Sequence, residues 1–127
     1  LRQEEKQTFQ VTAREEARYK KQAKAYLQGK CLYFSEIMGL RHGEIKINSA
    51  KTRWGSCNRK GDINFTYRLI FAPEEVIDYV VVHELAHLRE MNHSDRFWAV
   101  VGQTMPDYKA RRQRLREFER RFELVLV

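Results

Sequence analysis

The chain has 127 residues, 43% of them hydrophobic and 32% charged, with 24 Lys and Arg against 17 Asp and Glu for a net charge of +7. That is one domain's worth of chain with enough apolar material for a core, and without a run of 18 apolar residues it encodes no membrane-spanning helix. The positive balance favours anionic partners such as nucleotides or nucleic acid, while two cysteines, Cys31 and Cys57, are too few for a disulfide framework or a C-x-x-C knuckle and fit a reducing, cytoplasmic address.

Residues 1–11 are polar and expected to be flexible, and a start at Leu1 without methionine reads as a piece of a longer protein. Thr12 and Glu15 form a capping-box pattern that predicts a helix start. Ala23, Leu27, Cys31, Phe34 and Met38 then step by four, four, three and four, the apolar stripe of one long helix. Gly29 weakens that helix locally, and Gly39 suits the left-handed residue that ends it. Residues 44–48, 52–57 and 63–69 read as three short strands. The turn cluster 58–62 joins the second and third into an antiparallel hairpin. Pro73, followed by Glu74 and Glu75, opens a further helix. Val76, Val80, His83 and His87 lie on one stripe of it, and it is apolar almost all round through Val82, the pattern of a buried helix. After a break near Met91 and Asn92, Ser94 caps a short helix carrying Phe97, Trp98, Val101 and Met105. Pro106 and Asp107 interrupt, and a last helix runs from about Tyr108 to Phe122. Leu115, Phe118 and Phe122 form its apolar edge. Lys109, Arg111, Arg112, Arg114, Arg116, Arg120 and Arg121 crowd the rest of it and read mainly as a solvated face. Helix, small sheet, then helices is an α+β layout.

The chemistry concentrates in residues 83–93, His-Glu-Leu-Ala-His-Leu-Arg-Glu-Met-Asn-His. His83 and His87, four apart on a helix, share one face a turn from each other. This is the H-E-x-x-H pattern, in which two histidines hold zinc and the glutamate, here Glu84, acts on a water as general base. His93 supplies a third neutral nitrogen, and three such ligands with an open fourth position describe a catalytic site. A buried helix bearing two histidines and a glutamate also needs partners for them, because unpaired polar groups are costly to bury.

Several separated motifs stand in order around this centre. They are Lys51-Thr52-Arg53-Trp54-Gly55-Ser56-Cys57, Asn64, Val80 through Leu88, Asn92-His93-Ser94 with Phe97-Trp98, and Pro106-Asp107-Tyr108. Together they resemble the YgjP-like family of zinc metallopeptidases, whose members are similar to the SprT-like and WLM-type zincins in the catalytic core. The resemblance covers most of residues 15–120. It implies a single minimal zincin-like catalytic domain over 1–127: a long N-terminal helix, a small antiparallel-containing sheet, the H-E-x-x-H helix and C-terminal helices. It also implies one Zn2+ per chain held by His83, His87 and His93, with Glu84 as catalytic base. Family members carry a β-rich region ahead of this core, which the chain lacks. The 0, 4, 10 histidine spacing equals that of the metzincins, but Glu90 stands where those enzymes place a glycine, so the chain must reverse differently, with Asn92 a residue that tolerates left-handed geometry. Glu117 or Glu119 is the rival third ligand.

Around the metal, Arg53, Trp54, Gly55, Asn64, Tyr67 and Tyr108 are the candidate substrate-binding residues. Trp54 fits a core anchor and Gly55 a bulge equally well. Tyr67, Tyr108, Arg53 and His42 are the candidate oxyanion donors. Asp95 is either an acceptor that orients His93 or His83 or a first-turn helix acid. The leading expectation is a zinc-dependent metallopeptidase acting on a peptide or protein. The alternatives are a nucleoside triphosphate (UTP-type) pyrophosphatase using Lys51, Arg53, Arg59 and Lys60, a DNA-associated metalloprotease, and a non-enzymatic zinc-containing binding module.

Overall fold

The computed structural model describes residues 11–122. The expected flexible segment 1–11 therefore falls, apart from Val11, outside the described residues, as does the side chain of Phe122. Helix α1 spans Ala13–Met38 and begins in the anticipated capping box, with Thr12 accepting from the Glu15 N–H and the Glu15 carboxylate accepting from the Thr12 N–H. It ends at Gly39, whose φ of 66° is left-handed. The whole stripe Ala23, Leu27, Cys31, Phe34 and Met38 is buried.

Strands β1 (Ile45–Asn48), β2 (Gly55–Cys57) and β3 (Ile63–Thr66) form one sheet in the order β1-β3-β2. The hairpin pairs β2 with β3 antiparallel, Gly55 opposite Phe65 and Cys57 opposite Ile63. On its other edge β3 pairs with β1 in parallel, Ile45 opposite Ile63. Two boundaries differ from expectation. The second strand begins only at Gly55. The third stops at Thr66, and Tyr67–Phe71 is a 3-10 helix, because the Thr66 hydroxyl accepts from the Arg68 N–H and starts a turn there. Alternation through residue 69 predicted strand, but Tyr67, Arg68 and Leu69 are all buried, so no solvent face exists for the alternation to serve.

Helix α2 spans Glu74–Ala86, α3 Asp95–Thr104 and α4 Tyr108–Phe122. Pro73 sits one residue earlier than expected, as the N-cap of α2. α2 is the centre of the molecule: α1, α3, α4 and β2 all pack against it. Its residues from Val76 are accordingly buried, Asp78 excepted. Each Val, Ile or Leu so buried stabilises by roughly 1.5–3 kcal/mol. At its N-terminal end α2 is tied to α1 by Lys30 and Asp78, 2.8 Å apart, and to α4 by Arg114 and Glu75, 2.5 Å apart. No helix among the described residues is long and apolar enough to cross a membrane.

Candidate metal centre

His83 is one turn from the end of α2, and His87 caps that end, its N–H bonded to the Glu84 and Leu85 carbonyls. The chain breaks from helix there, four residues ahead of the break expected at Met91, and turns through 87–89 so that His93, on the segment before α3, swings back over the other two. The ligand nitrogens of His83, His87 and His93 lie within 4.8 Å of one another, the convergent donor group found among the described residues. His93 Nε2 is 3.2 Å from Nε2 of both His83 and His87. One ring nitrogen carries at most one proton and cannot serve two like neighbours at once. A shared cation satisfies all three. Nitrogens bound at zinc's usual length of 2.0–2.1 Å in a tetrahedron stand about 3.3 Å apart, so the donor set fits such an ion.

The supports follow the same logic. His87 Nδ1 donates to the Glu90 carbonyl at 3.1 Å, which leaves Nε2 as the lone-pair atom facing the triad. Burial lowers the His87 pKa, with the neighbouring His93 acting in the same direction, and so keeps the ring neutral. Phe97, fully buried on α3, floors the centre: its ring centroid is 4.6 Å from that of His87 and 4.9 Å from those of His83 and His93. His83 and His87 are buried, while His93 is exposed and leaves the centre open on its side.

Glu84 is completely buried, and neither carboxylate oxygen has a partner among the described residues. Desolvation pushes its pKa up to about 8. Its neighbour is Gly55, where a Cβ would lie 3.1 Å from Glu84 Cγ and 3.0 Å from the Asn64 carbonyl oxygen. Gly55 is thus a close-approach glycine that lets β2 press against the acid-bearing turn of α2.

The remaining candidates spread out. Trp54 is fully buried and packs on Phe118, so it anchors the core. Asn64 is half-buried on β3 opposite Ser56. Arg53 is exposed at the approach to β2. Tyr67 is buried away from the histidines, stacked with Tyr19 and Arg68 beside a different cavity. Tyr108 is stacked on Trp98, which in turn contacts His83 and His93. Close packing of Tyr108 on Gly102 holds that stack. His42 bonds to the Gly43 carbonyl. Asp95 is an exposed first-turn acid of α3 and makes no hydrogen bond to His83 or His93 among the described residues. Glu119 lines the cleft beside His83 and His93 without joining the donor group, and Glu117 is exposed.

Five further residues line that cleft: Tyr79, Trp98, Arg112, Leu115 and Arg116. Sequence reasoning passed over Tyr79, although it lies four before His83 and therefore on the same helix face. Its hydroxyl is buried without a partner among the described residues, and burial pushes its pKa up to about 12. The guanidinium of Arg112 sits 4.7 Å above the Trp98 ring.

A histidine triad at the end of a buried helix, with a glutamate following the first histidine, defines a metallopeptidase-like domain. Comparison with known proteins narrows the class: a family model described as YgjP-like, metallopeptidase domain, matches residues 1–118, and the chain belongs to that family. It is 30% identical over 81 residues to the UTP pyrophosphatase of Escherichia coli (strain K12), a match that takes in 62% of this chain and spans about half, 48%, of the relative's length. Among solved structures it is similar to the metallopeptidase zymogen of Pyrococcus abyssi abylysin, with a TM-score of 0.69 at 22% identity, covering 80% of this chain and 99% of that one. That likeness supports the fold.

Proposed function

We propose that the chain is a zinc-dependent hydrolase that cleaves peptide bonds. The observation that carries the reading is the convergence of three imidazole nitrogens, open on the His93 side, at the end of the helix that also holds a buried carboxylate without a hydrogen-bond partner among the described residues. When bound there, zinc would supply Lewis-acid polarisation of the scissile carbonyl and a more acidic water. Glu84 is the general base. It takes a proton from the attacking water as the carbon–oxygen bond forms. It then delivers that proton to the amine nitrogen as the carbon–nitrogen bond breaks, leaving a carboxylate and an amine. Burial raises the proton affinity of the Glu84 carboxylate, which favours its taking the proton of the attacking water. His87, fixed through Glu90, and Phe97 beneath the rings keep the donor atoms in place.

A second reading, hydrolysis of a nucleoside triphosphate, draws support from the name of the Escherichia coli relative. One experiment separates them. The wild-type chain and Glu84→Gln are loaded with zinc, assayed for metal, and tested in parallel on a peptide library and for pyrophosphate release from UTP. The expected result is one zinc per chain in both proteins and peptide cleavage that falls by about 10²–10⁴-fold in the variant. Undiminished cleavage by Glu84→Gln would remove the assigned base. Pyrophosphate release without peptide cleavage would transfer the site to nucleotides.

A further inference from the structure

Two cationic recesses flank the histidine triad. On the His87 side a groove of about 360 Å3 is lined by Arg41, Arg59, Lys60 and Arg89, with no acidic residue in its wall. Arg41, Arg59 and Lys60 have no ion pair among the described residues, and Arg89 spends one bond on the Met38 carbonyl. The nearby Asp62 carboxylate is engaged by the Glu44 N–H and the Asn58 amide. On the His83 and His93 side lies the cleft of about 510 Å3 that holds Arg112, Arg116 and the unpartnered Tyr79 hydroxyl, with Glu119 as its acid. Cations kept together in two separate recesses favour anionic groups that arrive from outside.

Resting on the peptidase reading, we propose that the site selects acidic peptides, with carboxylate side chains on both sides of the scissile bond seated in these two recesses. The arrangement favours a peptide over a phosphate chain in two ways. The charges are divided between two recesses, one walled by His87 and the other by His83 and His93, which suits an extended chain, whereas a triphosphate needs them in one cradle. Trp98 is already covered by Arg112 and stacked on Tyr108, so a nucleobase has no aromatic face to lie on. Arg112, held over Trp98, presents a preorganised fork for a carboxylate, and the Tyr79 hydroxyl is a second donor in the same cleft.

The test uses two peptides that differ only in Asp and Glu against Asn and Gln on both sides of one cleavable bond. Their kcat/KM ratio is measured for the zinc-loaded wild type, for the exposed double variant Arg59→Gln/Lys60→Gln, and for Arg112→Gln. Anisotropy of the labelled acidic peptide on Glu84→Gln measures binding without turnover, with inorganic tripolyphosphate as competitor. The wild type should favour the acidic peptide by about tenfold or more, and each variant should pull the ratio towards one. Tight, salt-sensitive binding of the acidic peptide to Glu84→Gln, weakened by the added charge-removing substitutions, supports the proposal even if no peptide is cleaved, an outcome that counts against the peptidase reading alone. Equal handling of the two peptides overturns the proposal. So does binding of tripolyphosphate by a protein that ignores both peptides.

Discussion

Helices α2 and α4 lie against each other and are built on opposite terms. In α2 nearly every residue from Val76 on is inside, so position along the helix is set by packing on all sides, and His83 and Glu84 inherit that rigidity. In α4, among the described side chains, only Leu115 is buried, and the arginines meet the rest of the molecule at single points: Arg111 on Asp107 and the Glu75 carbonyl, Arg114 on the Glu75 carboxylate, Arg112 on Trp98. The difference teaches where each kind of job is placed. Groups that must sit still stand where water is excluded, and the charged groups of α4 stand where their heads reach solvent.

The contrast can be broken by measurement. Leu85→Ala, which opens a cavity inside the packed helix, should cost about 2–5 kcal/mol by chemical denaturation. Gly55→Ala should cost about 1–3 kcal/mol, since the added methyl meets the Asn64 carbonyl, Glu84 and Phe65. It should also depress turnover while metal content is retained, because the displaced group is the carboxylate and not a histidine. Arg114→Ala should cost less than about 1 kcal/mol, its ion pair with Glu75 being half exposed on both sides. An Arg114 effect as large as that of Leu85 would erase the distinction between the two helices. A Gly55 variant that keeps full turnover would show that Glu84 tolerates displacement.

What was legible in the chain follows the range of the forces involved. The capping box at Thr12, the stripe from Ala23 to Met38, the left-handed Gly39 and the Ser94 cap are local patterns, and each stands in the structure. The histidines were legible because two lie one helical turn apart and the third returns within a short segment. The parallel pairing of β1 with β3 has no local signature, since it joins segments separated by β2 and the hairpin turn. Strand alternation misled at Tyr67, where tertiary burial and the Thr66 hydroxyl outweighed it. The arginines of α4 read as solvated charge, and only the packing of α4 against α2 reveals that Arg112 and Arg116 border the histidines. Arg41 and Arg89 went unremarked for the same reason, being brought to one groove by contacts distant in the chain.

The strand order has an implication for birth of the molecule. The two outer strands leave the ribosome before the middle one, and neither touches the other, so both wait with unpaired edges until Thr66 emerges. A single late segment then closes the sheet on both sides at once, and the helix bearing His83 follows directly behind it.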